Sequence, residues 1–406
     1  MHSESNWSVV AVLWGAFVLN YIDRQIVFSL FPVLTRDLHF SAVQLGSIGT
    51  VFTWVYSLSM PVAGRIADTV RRDRLIAASL VLWSIATYGT GTAASVPMFL
   101  FWRAVMGVTE SLFMPAALSV IAAVHTGETR SRALSLFATG QFAGIIAGGA
   151  LGGWMGDRMD WRKGFSILAV AGIGYGALLL AMRTHSSQLP SQAEAAPDPF
   201  SIFRSRTWLA LCVAFFCYCA MLWILLAWLA DFIHARYHLS LTASGVSATI
   251  FVQAGSAAGV ILGGILGDRF APRVPGGRFY VGALGLFSCA PFAWGLLAVN
   301  SIILLKVFSL LFGILGGLFV ANLYASAYDV VAQRNHGIAA GAMNLIGGFA
   351  GGAAILLTGM LKDQFGVAWL IRWIAAGALV AATMLMIATA VFFRRDQARV
   401  ASRNLE

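Results

Sequence analysis

The sequence predicts an all-α membrane protein of twelve transmembrane helices, arranged as two six-helix bundles that each consist of inverted three-helix repeats. Three observations predict it. Of the 406 residues, 59% are hydrophobic and only 11% charged, and the mean hydropathy is +0.79. Soluble domains carry about 25% charged residues, because their surface needs polar cover that this chain does not have. A soluble enzyme is excluded. Twelve apolar runs follow one another, each close to the roughly 20 residues that a bilayer crossing requires. Finally, Gly-x-x-x-Asp recurs four times in register, at Gly64/Asp68, Gly153/Asp157, Gly264/Asp268 and Gly359/Asp363.

The runs fall at 7–34, 42–66, 74–94, 96–124, 132–155, 163–183, 207–233, 243–266, 278–298, 301–329, 337–361 and 367–393. The first has no basic leader and no small-residue cleavage site, and it is too long for a signal-peptide core, so it reads as a retained helix. Six runs precede the one clearly polar stretch, Thr184 to Arg206, and six follow it. That stretch is rich in Pro, Ser, Ala and Gln and reads as a flexible linker. The expected organisation is an N-terminal bundle over 1–183, a cytoplasmic linker over 184–206, and a C-terminal bundle with a short cytoplasmic tail over 207–406. The Gly-x-x-x-Asp copies close spans 2, 5, 8 and 11, on alternating sides of the membrane. One motif at the matching point of every three-helix unit marks inverted repeats within two parallel halves.

An even number of spans puts both termini on one side. If that side is the cytoplasm, seventeen Lys and Arg lie in inner loops or the C-terminus and six in outer loops. The positive-inside rule therefore orients both termini inward. The net charge of +10 is spread between hydrophobic runs rather than along one soluble face, which argues against nucleic acid. Cys212, Cys217, Cys219 and Cys289 lie inside apolar runs without CxxC or His/Cys spacing and read as reduced packing residues. A membrane enzyme would need a nucleophile–base pair or metal ligands, and no HExxH or GxSxG is present. A channel would repeat a pore segment, whereas this chain repeats whole three-helix units.

Four charges stand where charges are costly. Span 1 carries Asp23 and Arg24, and span 4 carries Arg103 and Glu110. Each would cost roughly 2.5–3.5 kcal/mol near the centre of a span, so an unpaired quartet would cost on the order of 10–14 kcal/mol. From the rise per residue, Asp23 lies about 24 Å from the inner end of its helix, while Arg103 and Glu110 lie about 10 and 20 Å below the outer end of theirs. All four share one broad layer, and their signs cancel. Arg103 and Glu110 lie on one face two turns apart, too far to pair directly. Either Arg103 meets Asp23 across the contact of the two helices, or substrate or water lies between. Ionisable residues inside a membrane usually face an interior cavity and carry function, so the four are expected to surround a water-accessible chamber.

These residues resemble the major facilitator superfamily. Gly64-Arg-Ile-Ala-Asp68 and Gly264-Ile-Leu-Gly-Asp268-Arg269 look like its signature loops after helices 2 and 8, in which the aspartate pairs with cytoplasmic helix ends and closes the inside. The first copy departs from the pattern, with Thr69 for the usual base and Arg71 for the usual glycine, while Arg72 fits. Asn20-Tyr21-Ile22-Asp23-Arg24 and Arg103-x-x-x-Gly107-x-x-Glu110 further resemble the anion:cation symporter family, which includes bacterial hexuronate and galactonate carriers and animal sialic-acid and vesicular glutamate transporters. That resemblance implies proton-coupled symport of a small organic anion, such as a sugar acid. It places substrate contacts at Tyr21, Tyr56 and Gln141, at Asn344 in the glycine-rich eleventh span, and more loosely at Tyr324. The Asp-Arg and Arg…Glu pairs also occur in spinster-type lysolipid transporters, so a lysolipid carrier or a proton-coupled exporter is the alternative.

An arginine fork matches a carboxylate with two parallel hydrogen bonds. Arg24 is the candidate for the substrate carboxylate, with Arg103 and Asp23 tuning its availability. Burial and a neighbouring arginine act in opposite directions on a carboxyl, so Asp23 and Glu110 are the candidate proton carriers. Lys306 is either a second anion contact at the place matching Arg103 or a snorkelling interfacial lysine, and Gln253 is a further candidate lining residue. No cofactor or metal is expected, since the proton gradient supplies the driving force. The expected partners are a small carboxylate, protons and membrane lipid, around a monomer in the bacterial inner membrane.

Overall fold

The computed structural model describes residues 2–126, 128–181 and 199–403. The described residues form fourteen α-helices. In the first sequence half these are α1 (His2–Ser29), α2 (Phe31–Leu38), α3 (Ala42–Thr69), α4 (Arg72–Gly91), α5 (Val96–Ser111), α6 (Phe113–Val124), α7 (Glu128–Arg158) and α8 (Trp161–Ala181). The second half holds α9 (Arg206–Tyr237), α10 (Leu241–Phe270), α11 (Gly277–Leu296), α12 (Ile302–Asp329), α13 (His336–Phe365) and α14 (Val367–Arg403), with short 3-10 turns at Pro199–Arg204 and Gln333–Asn335. Most of the expected linker, 184–198, lies outside the described residues.

Two expected spans are each broken, and proline explains both. The run 7–34 divides at Leu30 because Pro32, at the start of α2, has no N–H with which to continue α1. Span 4 is α5 followed by α6, interrupted at Leu112. Pro115 lies three residues on, where its ring would clash with the Ser111 carbonyl. The break falls two residues after Glu110. Ten spans are long and apolar enough to cross a membrane by length and composition alone. The other two, α3 and α4, are more polar: α4 opens on Arg72, Asp73 and Arg74, and both carry several hydroxyl residues. Those hydroxyls return to the carbonyl four residues earlier, as in Thr53 to Gly49 (2.6 Å) and Thr90 to Ala86 (2.8 Å), which lets them sit in apolar surroundings.

The chain forms two compact units, Met1–Gln192 with Leu226–Thr249, and Ala193–Leu225 with Ile250–Glu406. The division does not coincide with the sequence halves, and α7 shows why. On one side its stripe Gly140, Gly144, Gly148 and Gly152 rides on α1; a β-carbon at Gly144 would come within 2.5 Å of the Tyr21 β-carbon. On its other side, Gly149 and Gly153 press against Thr249 and Leu241. There Asp157 accepts hydrogen bonds from the Leu241 amide (3.0 Å), the Thr242 amide (2.8 Å) and the Thr242 hydroxyl (2.6 Å). The second Gly-x-x-x-Asp copy thus caps the first turn of α10, satisfying amides that have no partner within the helix. The core of this unit is aromatic, with Phe17 stacked on Phe137 at 4.5 Å and Trp83 edge-on to Phe113 at 5.5 Å.

The second unit repeats these pairings. Gly347 and Gly351 of α13 bear on Phe215, Cys219 and Trp223 of α9, as the α7 glycines bear on α1. Gly255, Gly259 and Gly263 of α10 pack on the α12 backbone. Small residues at four-residue spacing let helices approach to backbone contact. All four cysteines are free, and Cys212, Cys219 and Cys289 are buried among apolar neighbours.

Candidate functional site

The site is built within the first unit by three helices. Helical spacing puts Asn20, Asp23 and Arg24 of α1 on one face, and Arg103 and Glu110 of α5 on another. Gly107, midway between the two α5 charges, lets α3 approach closely. A β-carbon there would come 3.0 Å from the Phe52 carbonyl and 3.1 Å from the Tyr56 amide. The approach brings the Phe52 and Tyr56 rings over the arginines.

Arg24 and Glu110 form a buried ion pair, with Nε to Oε2 at 2.6 Å. The Arg24 guanidinium sits 4.3 Å from the Tyr56 ring centroid, 4.8 Å from that of Tyr21 and 5.1 Å from that of Phe52, within cation–π range. Arg103 lies 4.8 Å from the Phe52 centroid. Its Nη1 donates to the Asp23 main-chain carbonyl at 3.3 Å and sits 3.1 Å from the Met106 sulfur. Trp83 and Thr87 flank the Asp23 carboxyl, and Asn20 stands beside Glu110.

Two expectations are corrected here. Arg103 reaches the backbone of Asp23 rather than its carboxylate, and the ion pair is Arg24–Glu110. The quartet is also not exposed to a chamber: Arg103 and Glu110 are fully buried, Asp23 is 6% exposed and Arg24 7%. The rings pressed on Arg24 exclude water, and of these Tyr21 and Tyr56 are themselves only half-buried. The cluster lies one aromatic layer below accessible surface.

Its hydrogen bonding is incomplete. Asp23 Oδ1, Arg24 Nη2, Arg103 Nε and Nη2, Glu110 Oε1 and both amide atoms of Asn20 are buried and make no hydrogen bond of good geometry, although Asn20 lies within reach of Glu110. Leaving a buried polar group unsatisfied costs about 1–3 kcal/mol, and native structures hold few of them. Here they converge on one cluster that offers donors on two arginines and acceptors on two carboxyls. Such a set can take an anion on the arginines and a proton on the carboxyls.

The remaining candidates are placed as follows. Gln141 is half-buried on α7, and no hydrogen bond among the described residues joins it to the quartet. In the second unit the Tyr324 hydroxyl donates to Asn344 Oδ1 at 2.8 Å, and Gln253 is buried on α10. Lys306 is half-buried with its Nζ 5.6 Å from the Phe251 ring centroid. Its match to Arg103 is corrected by the repeat itself. Gly313 faces the Val252 carbonyl and Ser256 amide as Gly107 faces those of Phe52 and Tyr56, so the counterpart of Arg103 is Ser309, one turn further along. In the same register the counterpart of Glu110 is Gly316. The charges belong to one half of the duplication alone.

The loop motifs also differ from each other. Asp68 is exposed and Arg72 half-buried, while Arg71 pairs with Asp73 at 2.7 Å. Asp268 pairs with Arg278 at 3.0 Å, not with Arg269, and Arg278 also reaches Asp329 at 3.4 Å. A β-carbon at Gly64 or Gly264 would meet nothing within 4 Å. Sequence reasoning gave no role to Asn20, Phe52 or Arg278. A lone amide one turn before Asp23 was the available signal for Asn20, and a base opening the span after Asp268 was the signal for Arg278. Nothing in the sequence separated Phe52 from its many apolar neighbours.

A polytopic helical chain in two duplicated units, with a buried and charge-balanced cluster in one of them, defines a membrane transporter. The chain belongs to the Major Facilitator Superfamily, whose family model matches residues 13–354. Its relatives include the Probable sulfoacetate transporter SauU of Cupriavidus necator, 27% identical and covering 88% of this chain and 87% of the relative. The Probable galactarate/D-glucarate transporter GudP of Bacillus subtilis is 23% identical, covering 89% of this chain and 86% of the relative. Among solved structures, an inward-facing bacterial homolog of the human lysosomal transporter Spinster has a TM-score of 0.79 at 19% identity, covering 97% of this chain and 98% of that one. At that identity the likeness concerns the fold.

Proposed function

We propose that the protein is a secondary active carrier that moves a small organic anion, a sugar acid or related carboxylate, by proton-coupled symport and alternating access. The single observation behind this reading is the Arg24–Glu110 pair with its unmet neighbours. In the resting site Glu110 occupies one edge of the Arg24 guanidinium. A proton arriving at Glu110 neutralises that carboxyl and loosens the pair, because the ion-pair attraction depends on both charges. Arg24 then presents its fork to an incoming carboxylate, which gains two parallel charge-assisted hydrogen bonds. Tyr21 and Tyr56 move aside to admit the substrate and return to exclude water behind it.

Arg103 and Asp23 accept the redistributed charge, so the cluster stays balanced when a carboxylate and a proton enter together. The names of the relatives, carriers of sulfoacetate and galactarate or glucarate, support a small carboxylate or sulfonate. The seventeen-to-six bias of basic residues supports cytoplasmic termini, and the bacterial relatives support an inner membrane.

Uptake into proteoliposomes tests the reading, with labelled galactarate, glucarate, sulfoacetate and a lysophospholipid offered under an inward proton gradient. Accumulation of at least one soluble acid above its equilibrium level, abolished by a protonophore, is the expected result. Transport of the lysophospholipid alone would transfer the chain to the spinster-type alternative.

A further inference from the structure

We infer that the second unit carries a binding site for an anionic phospholipid headgroup, formed where the 3-10 turn Pro199–Arg204 meets the start of α9 and the ends of α12 and α14. A cavity of about 560 Å³ opens there. Ile202, Val330, Val331, Ala332 and Val400 give it an apolar wall, and Arg204, Arg206 and Arg399 are its basic members. Its one acid, Asp396, is already committed. It is 4% exposed, and one of its oxygens accepts from the Ser205 hydroxyl (3.0 Å), the Thr207 amide (3.0 Å) and the Thr207 hydroxyl (2.9 Å). The carboxylate therefore fastens the last helix to the first turn of α9, and its other oxygen lies 3.7 Å from Arg399 Nη1, so three guanidinium groups against one carboxylate leave the mouth net positive.

Two of those groups are held in place. Arg206 lies 4.8 Å over the Phe392 ring, and Arg399 donates to the Arg204 carbonyl at 3.3 Å. Arginines already ordered lose less entropy when they engage a phosphate. Asn335 ties the turn to the neighbouring helix end through the Ser201 hydroxyl at 2.6 Å.

The shape around the cavity selects a lipid over a soluble phosphate. Arg206, Leu209, Val213 and Phe216 follow one another at helical spacing along a single face of α9. Leu209, Val213 and Phe216 are 39%, 45% and 45% exposed, and Phe203, beside the mouth, is 55% exposed. A basic head therefore stands at the membrane end of an apolar stripe, the arrangement that takes a phosphate with acyl chains attached. Basic pockets at the cytoplasmic ends of spans attract anionic headgroups, and the positive-inside reading places this end in the cytoplasm. Nothing in this site overlaps the Arg24–Glu110 cluster, so it stands apart from the transport reading.

The test measures lipid retained by the purified full chain, by native mass spectrometry and by thermal shift. The probes are phosphatidylglycerol, phosphatidylcholine and inorganic phosphate, each added separately. Phosphatidylglycerol is expected to be retained and to stabilise the protein, while phosphatidylcholine and inorganic phosphate do neither. At about fivefold per arginine beside an anionic headgroup, the Arg206→Gln/Arg399→Gln variant should lose phosphatidylglycerol roughly thirtyfold. Arg130→Gln/Arg132→Gln, a basic pair of α7 that does not line the cavity, should retain it as the parent does. Equal retention of the two lipids by the parent protein overturns the proposal without any variant. So does equal loss in both variants. Stabilisation by inorganic phosphate alone would make the site one for a soluble anion and would equally overturn it.

Discussion

Replacing Glu110 with Gln abolishes pH-driven accumulation of the substrate and leaves counterflow exchange running. The amide keeps the volume and one acceptor of the side chain but carries neither charge nor an exchangeable proton. It holds the Arg24 edge only as a neutral hydrogen-bond partner, with Nε to Oε2 now at 2.6 Å in the ion pair. Arg24 is then permanently available, so substrate loads from either side, and nothing links its passage to the proton gradient. Accumulation above the equilibrium level under an inward proton gradient should be lost, while exchange of labelled for unlabelled substrate persists. The check is to run both assays on one preparation. Normal accumulation in this variant would remove Glu110 from the coupling step.

The second large effect concerns stability. The Arg24 and Glu110 side chains are 8% and 0% exposed, and breaking a buried pair by removing one partner typically costs about 3–5 kcal/mol, because the surviving charge is left uncompensated. Arg24→Gln strands the Glu110 carboxylate and should lower the melting temperature sharply and abolish carboxylate binding. Arg24→Gln/Glu110→Gln removes both charges and should recover much of the stability while recovering none of the binding. A double-mutant cycle on thermal unfolding measures the coupling directly. Additive losses would mean that the two side chains do not work as a unit.

Much of the architecture was legible in the sequence because a bilayer imposes length and polarity on every crossing. The twelve runs are a direct consequence of that constraint. Local breaks were less visible, since Pro32 and Pro115 sit within unbroken apolar runs and act through one missing N–H each. The four charges of the site stood out by their cost in a membrane, and depth arithmetic set them in one layer. Their pairing was not legible. Arg24 and Arg103 are both within reach of carboxyls, and the choice depends on how closely α3 approaches α5, which Gly107 sets through contacts that only the folded backbone shows. The same limit misplaced Lys306: counting from the ends of spans matched it to Arg103, whereas the Gly107 and Gly313 contacts fix the register one turn away. Asp396 illustrates the converse. It reads as one acid among the basic residues of the tail, yet in the structure it organises the start of α9.

The central claim is that an incoming carboxylate and a proton enter the Arg24–Glu110 cluster together. Calorimetric titration of the purified protein with its best-transported acid, repeated in buffers of different ionisation enthalpy, counts the protons taken up per anion bound. The account predicts net proton uptake with each anion at neutral pH, disappearing in Glu110→Gln while anion binding remains. Binding without proton uptake in the parent protein, or undiminished uptake in the variant, would contradict it.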